Sequence, residues 1–169
     1  MQTRTLRTTA AATAIAIFSA ATVAISSPVN AHASIQLYGE EAKAGGYGAM
    51  FVRIPHGCEG GLPTDKVVVS VPRAIESVRP QQLAGWQAAT PKSSSKKFHR
   101  VVWSGGSLPD SQFADFGISV KYPAAGDYKF VVTQYCGDKT VKWTGADAPT
   151  LTVNKASESG HSHGSGHSH

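Results

Sequence analysis

The feature that most restricts this chain is a rhythm of short apolar runs, rich in β-branched and aromatic residues. Gly, Pro and Asp break them about every ten residues. Between residues 32 and 154 no stretch keeps a 3.6-residue apolar period long enough for a long helix. The pattern predicts strands over 34–38, 47–54, 66–71, 87–90, 98–104, 114–122, 128–135, 141–144 and 150–153. Alternation is clearest in 116–122 and 129–135, where one parity is mostly apolar, as in a sheet with one wet face. Turn signals stand at 57–61, at Gly105-Gly106 and at 123–127, and residues 109–113 are predicted to form a single helical turn. Many short strands with regular turns imply an all-β, antiparallel β-sandwich of about 120 residues in a single domain, with a small closed barrel as the alternative.

The two ends of the chain are different materials. Arg4 and Arg7 precede an uncharged apolar stretch over 10–25, and small, turn-forming residues follow to Ala31. This is the layout of a secretory signal peptide, residues 1–31. The stretch is interrupted by Thr and Ser and is short for a membrane span of ~20 apolar residues, so no transmembrane helix is expected in the mature form. Two cuts fit small residues at −3 and −1. Val29-Asn30-Ala31 would release His32 as the first residue, and Ala31-His32-Ala33 would release Ser34.

Removing residues 1–31 takes Arg4 and Arg7 from the 16 basic residues and none from the 11 acidic ones, so the charge of +5 becomes +3. The only local basic cluster is Lys92, Lys96, Lys97 and Arg100, with Phe98 as its one aromatic. There is no basic stripe with interleaved aromatics, so nucleic acid is excluded as a partner. From Ser157 onward there is no apolar residue, while His161, His163, His167 and His169 are spaced by Ser and Gly. The tail over 155–169 is therefore expected to be disordered, and it offers imidazole donors to a borderline metal unless it is a tag.

Cys58 and Cys136 are the only cysteines. An even count in an exported chain predicts a disulfide between a loop and a strand end. A pair of Cu(I) thiolates is the rival arrangement.

Outside the tail, three histidines remain: His32, His56 and His99. His99 lies among Lys96, Lys97 and Arg100 and reads as a polar surface residue. His32 changes character if the cut precedes it, because a terminal histidine offers its α-amine and ring Nδ1 to one metal and closes a six-membered chelate. Reference pKa values of about 7.7–8.0 for an α-amine and about 6.5 for an imidazole make deprotonation for a metal inexpensive near neutrality. Two nitrogens with a further carboxylate, backbone or imidazole donor suit tetragonal Cu(II).

Several segments, in order, carry a resemblance. They begin with His32-Ala33-Ser34-Ile35 and Ala44-Gly45-Gly46-Tyr47, then Val52-Arg53-Ile54-Pro55-His56-Gly57-Cys58-Glu59-Gly60. Pro63-Thr64-Asp65-Lys66-Val67, Val71-Pro72, Pro80 through Gly85-Trp86, and Val102 through Asp110 continue it. Phe113 through Gly117, Gln134-Tyr135-Cys136 and Val141-Lys142-Trp143 close it. Across nearly all of 32–143 the chain resembles the YcnI-like, DUF1775 family of exported bacterial copper-binding domains.

The resemblance implies an immunoglobulin-like β-sandwich and a Cu(II) site built on the mature N-terminal histidine, a monohistidine brace. It also implies a tryptophan near the copper and periplasmic or secreted copper buffering or delivery, with other periplasmic or membrane copper-transport proteins as partners. It therefore favours the cut before His32. Carried over, His32 is the brace and Trp143 the nearby indole, with Trp103 second; Trp86 and Trp103 otherwise read as core. Better-known members supply a carboxylate after the Gly-x-Tyr segment, where this chain has Gly48. Glu40 or Glu41 is then the replacement, and His56 is the alternative that would complete a two-histidine brace.

The sequence holds no Ser–His–Asp arrangement, acid pair or phosphate-binding glycine loop, so the expectation is a protein that is not an enzyme. Two other readings remain: a copper-dependent oxidative enzyme of the histidine-brace type, and a structural or adhesion sandwich without a folded metal site.

Overall fold

A computed structural model describes residues 32–156. The predicted signal peptide and the tail histidines His161, His163, His167 and His169 lie outside the described residues. In chain order the strands are β1 (Ser34–Gln36), β2 (Tyr47–Ile54), β3 (Thr64–Pro72), β4 (Glu76–Pro80), β5 (Gln87–Ala89) and β6 (Phe98–Leu108). They continue with β7 (Ala114–Lys121), β8 (Gly126–Lys129), β9 (Val131–Cys136), β10 (Lys139–Trp143) and β11 (Thr150–Val153). A 3-10 turn, Gly145–Asp147, stands between the last two.

One sheet has the order β1-β2-β7-β4, the second β10-β9-β3-β6-β5, and β11 pairs with β8 as a separate ribbon. All the strand pairings are antiparallel. Alternate residues of both sheets are fully buried: Met50, Val52 and Ile54 from β2, and Phe116, Ile118 and Val120 from β7. Val67, Val69 and Val71 come from β3, and Val101 and Trp103 from β6. Period-two burial on two sheets is what the alternation predicted, and β-branched side chains suit that surface.

Four local expectations change. The strand expected over 128–135 divides at Phe130, whose ring is fully buried and whose amide donates to Pro149 O at 2.9 Å. On one side of it β8 pairs with β11, and on the other β9 pairs with β3 and β10. Gly105-Gly106 is not a turn but part of β6, because Trp86 lies against Gly106 so closely that a Cβ there would meet the indole at 2.0 Å. Residues 109–113 make a turn closed by Gln112 N donating to Pro109 O at 3.1 Å, not a helical turn. The Glu76–Pro80 edge strand, polar and short, was not expected; it pairs with β7 through an irregular register.

Trp103 packs in the core as expected, and Trp86, partly buried, packs against it. Both rings lie against Phe116, at centroid distances of 5.0 and 5.2 Å. The Trp103 indole N–H donates to Gln81 O at 2.9 Å, which satisfies its one polar atom in an otherwise apolar setting.

Cys58 and Cys136 form a disulfide with a Cα–Cα separation of 6.1 Å, and both are buried. The copper-thiolate alternative is thereby overturned, since neither sulfur is free. Closing so long a loop stabilises the fold by ~4 kcal/mol in the chain-entropy model. Among the described residues no helix is long and apolar enough to cross a membrane.

Candidate metal centre

His32 immediately precedes Ala33, which is buried and anchors the approach to β1. β1 pairs with β2 so that Ser34 faces Arg53. His32 therefore lies ahead of β1 at the end where β2 runs out at Ile54, two residues before His56. The two histidines thus belong to the same end of the sandwich.

The His32 ring is about half exposed, and its Nδ1 lies 3.7 Å from Asp147 Oδ1. Asp147 closes the 3-10 turn that begins just after Trp143 and Thr144. An imidazole and a carboxylate this close offer two donors to a borderline divalent cation. Sequence reasoning missed Asp147. Its nearness to His32 depends on where β10 ends and the chain turns toward β11, which no local pattern encodes.

His56 stands in the loop after β2. Its Nδ1 lies 2.6 Å from Gly57 O and 3.3 Å from Asp110 Oδ1. With Nδ1–H donating to the carbonyl, Nε2 keeps its lone pair for another partner. The loop is held from beneath by Gln134, buried at the end of β9, which donates through Nε2 to His56 O at 2.8 Å and to Thr64 Oγ1 at 2.5 Å.

His56, Gln134, Val141 and Trp143 line one hollow of about 360 Å³, with the disulfide's Cys58 in its wall. Trp143 is itself 4% exposed, so most of its indole packs inward while one edge borders the hollow. The structure therefore brings together Trp143 and His56, and it brings Asp147 to His32.

Glu40 and Glu41 sit elsewhere. They follow the turn beyond the far end of β1 and line a different hollow with Tyr47 and Tyr122. The four residue steps from His32 to Gln36 alone span about 13 Å of extended chain. Neither glutamate is brought to His32. At Gly48 a Cβ would meet Tyr122 Oη at 2.5 Å and its ring at 2.8 Å, so the space for a side chain is filled by that tyrosine. Burial, and then the charge of Glu40, push the Tyr122 hydroxyl above its ordinary pKa.

Among the described residues, no group of three or more His, Cys, Asp or Glu side chains is arranged to hold a metal ion by itself.

Comparison with known proteins gives concordant findings. The family described as a domain of unknown function, DUF1775, matches residues 32–161. The copper-binding protein CutI of Bacillus subtilis strain 168 is 31% identical over 134 residues, which is 75% of this chain and 63% of that protein. The chain thus matches somewhat under two thirds of that relative's length. An uncharacterized protein from Nocardia farcinica, whose crystal structure has an immunoglobulin-like fold, matches at TM-score 0.59 and 27% identity over 72% of this chain and 97% of that one. A cohesin module from a Clostridium perfringens family 33 glycoside hydrolase shares the fold alone, at TM-score 0.50 and 10% identity, over 75% of this chain and 99% of that one.

Proposed function

The chain belongs to the DUF1775 family, and on that premise we propose an exported, non-catalytic copper-binding protein that buffers or hands on copper outside the cytoplasm. Cu(II) is held through His32 as the first residue of the processed chain. The observation that carries the reading is the 3.7 Å approach of His32 Nδ1 to Asp147, at the residue where the family match begins. The relative named for copper binding supports the choice of metal.

Cleavage before His32 supplies the donor that the side chains alone do not. The new α-amine and Nδ1 form the chelate, and the Asp147 carboxylate adds an oxygen and a negative charge that offsets the dication. Asp147 thus takes the part that Gly48 cannot play here. His56 belongs to the neighbouring loop, where Asp110 and Gly57 O orient its ring, and among the described residues it is not grouped with His32 and Asp147. Trp143, which ends β10 just before the turn that carries Asp147, is the nearby indole of this reading.

The test is the intact mass of the exported protein followed by Cu(II) titration. The mass should place His32 first. In a chain ending at Ala156, which lacks the tail imidazoles, His32→Ala should abolish tight Cu(II) binding. Tight binding that survives the substitution overturns the site.

A further inference from the structure

β3 begins at Thr64, beside Gln134 and the His56 loop, and runs to Pro72 at the opposite end of the sandwich. Around Arg73, the next residue, lies a hollow of about 460 Å³ lined by Arg73, Lys92, Arg100, His99, Thr90 and Ser93. No carboxylate lines it. Among the described residues none of the three cations is in an ion pair.

The Arg73 side chain is held in place, and the loop beside it is pinned. His99 and Arg100 come from β6, opposite Val71 and Ser70 of β3. The Arg73 amide donates to Lys97 O at 2.9 Å, and its guanidinium Nη2 donates to Ser95 O at 3.0 Å. The loop is pinned in turn by the Ser93 and Ser95 hydroxyl oxygens, which accept from the Ser95 and Lys97 amides. Burial, and then the Arg73 charge, hold His99 below the ordinary imidazole pKa.

Three like charges around one concavity repel one another, and an anion placed among them relieves that repulsion while accepting charge-assisted hydrogen bonds. A doubly charged phosphoryl group balances this set better than a carboxylate does, and guanidinium forks match its oxygens. The hollow exceeds what a bare phosphate fills, and Val78 and Pro91 give it an apolar side. We propose that this hollow is a binding site for a phosphoryl group bearing a small organic substituent, formed by Arg73, Lys92 and Arg100 with the Thr90 and Ser93 hydroxyls.

The test uses the full, metal-free chain at pH 8. Glycerol 3-phosphate, inorganic phosphate and acetate are titrated by calorimetry, and vesicles of phosphatidylcholine with and without phosphatidylglycerol are sedimented with the protein. Saturable binding of glycerol 3-phosphate, at least ~10-fold tighter than acetate and weakened ~10-fold by Arg73→Ala or Arg100→Ala, is expected. Co-sedimentation that depends on phosphatidylglycerol and on the same residues identifies a lipid headgroup as the source. Glycerol 3-phosphate binding without it identifies a soluble phosphoester. Arg100→Lys keeps the charge but loses the fork, so partial weakening in a variant with an unchanged melting temperature separates binding from folding. Absence of saturable binding to both phosphoryl probes, or binding indifferent to Arg73 and Arg100, overturns the site. The copper reading stands or falls separately, because His32 lies at the other end.

Discussion

The His32 imidazole and the Asp147 carboxylate meet at 3.7 Å, joining the residue ahead of β1 to the turn after β10. Both side chains are more than half exposed, so the pair contributes little to folding. Asp147→Asn should therefore leave thermal unfolding unchanged while weakening Cu(II) binding by the processed chain about 10-fold. Competition titration against a chelator measures this, and an unchanged affinity removes Asp147 from the ligand set.

Trp143 borders the hollow that contains His56, whereas Trp86 and Trp103 pack on Phe116, Trp103 within the core and Trp86 against it. Cu(II) should accordingly quench tryptophan fluorescence mainly through Trp143. In Trp143→Phe most of the quenching should vanish, and in Trp86→Phe it should persist. The reverse pattern would place the metal elsewhere.

Gly106 leaves room for the Trp86 ring, and a Cβ at that position would come within 2.0 Å of it. Gly106→Ala should displace the indole and destabilise the fold by about 1–3 kcal/mol, the usual range for overpacking. Urea unfolding with tryptophan emission reads both effects together.

Asp115 lies on β7 beneath Arg53, which donates to it from Nε and Nη2 at 2.9 Å each, and Tyr38 donates its hydroxyl to the same carboxylate. Burial alone would raise the carboxyl pKa, but the bonds from Arg53 and Tyr38 outweigh it and hold Asp115 below its ordinary value near 3.8. A depressed folded pKa contributes stability that is present above the unfolded value and lost as pH falls through the folded one. Melting temperatures between pH 6 and pH 2 should therefore fall less steeply below pH 4 in Asp115→Asn than in the parent. Parallel curves would refute the assignment.

The sandwich was legible because large apolar side chains at Phe116, Ile118 and Val120 alternate with Gly117 and Ser119, and all three are buried on one face of β7. The disulfide was legible from an even cysteine count in a chain expected to be exported. Phe130 looked like mid-strand because its neighbours are all strand formers; only the pairing of β8 with β11 reveals that the chain changes sheets there. Gly105-Gly106 looked like a turn because local chemistry cannot show that Trp86 needs the space. Of the site, His32, His56 and Trp143 were visible as residue types in a family pattern. Asp147 was not, since its role rests on a through-space approach between distant segments.

Reducing the Cys58–Cys136 link would release the loop that carries His56 as well as the end of β9. Replacing both cysteines with serine should lower stability by about 2–5 kcal/mol in chemical denaturation. A smaller loss would mean that the Gln134 hydrogen bonds to His56 O and Thr64 already hold the loop.

β1 is three residues long and is held on one side by three partners of β2. A strand so short opens locally at small free-energy cost, and it begins two residues after His32. A cation bound at that residue would act as a clasp, since a ligand that favours the closed form stabilises it by mass action. Amide exchange at Ser34–Gln36 would then slow as the metal concentration rises, making a short edge strand a gauge of whether that residue is occupied.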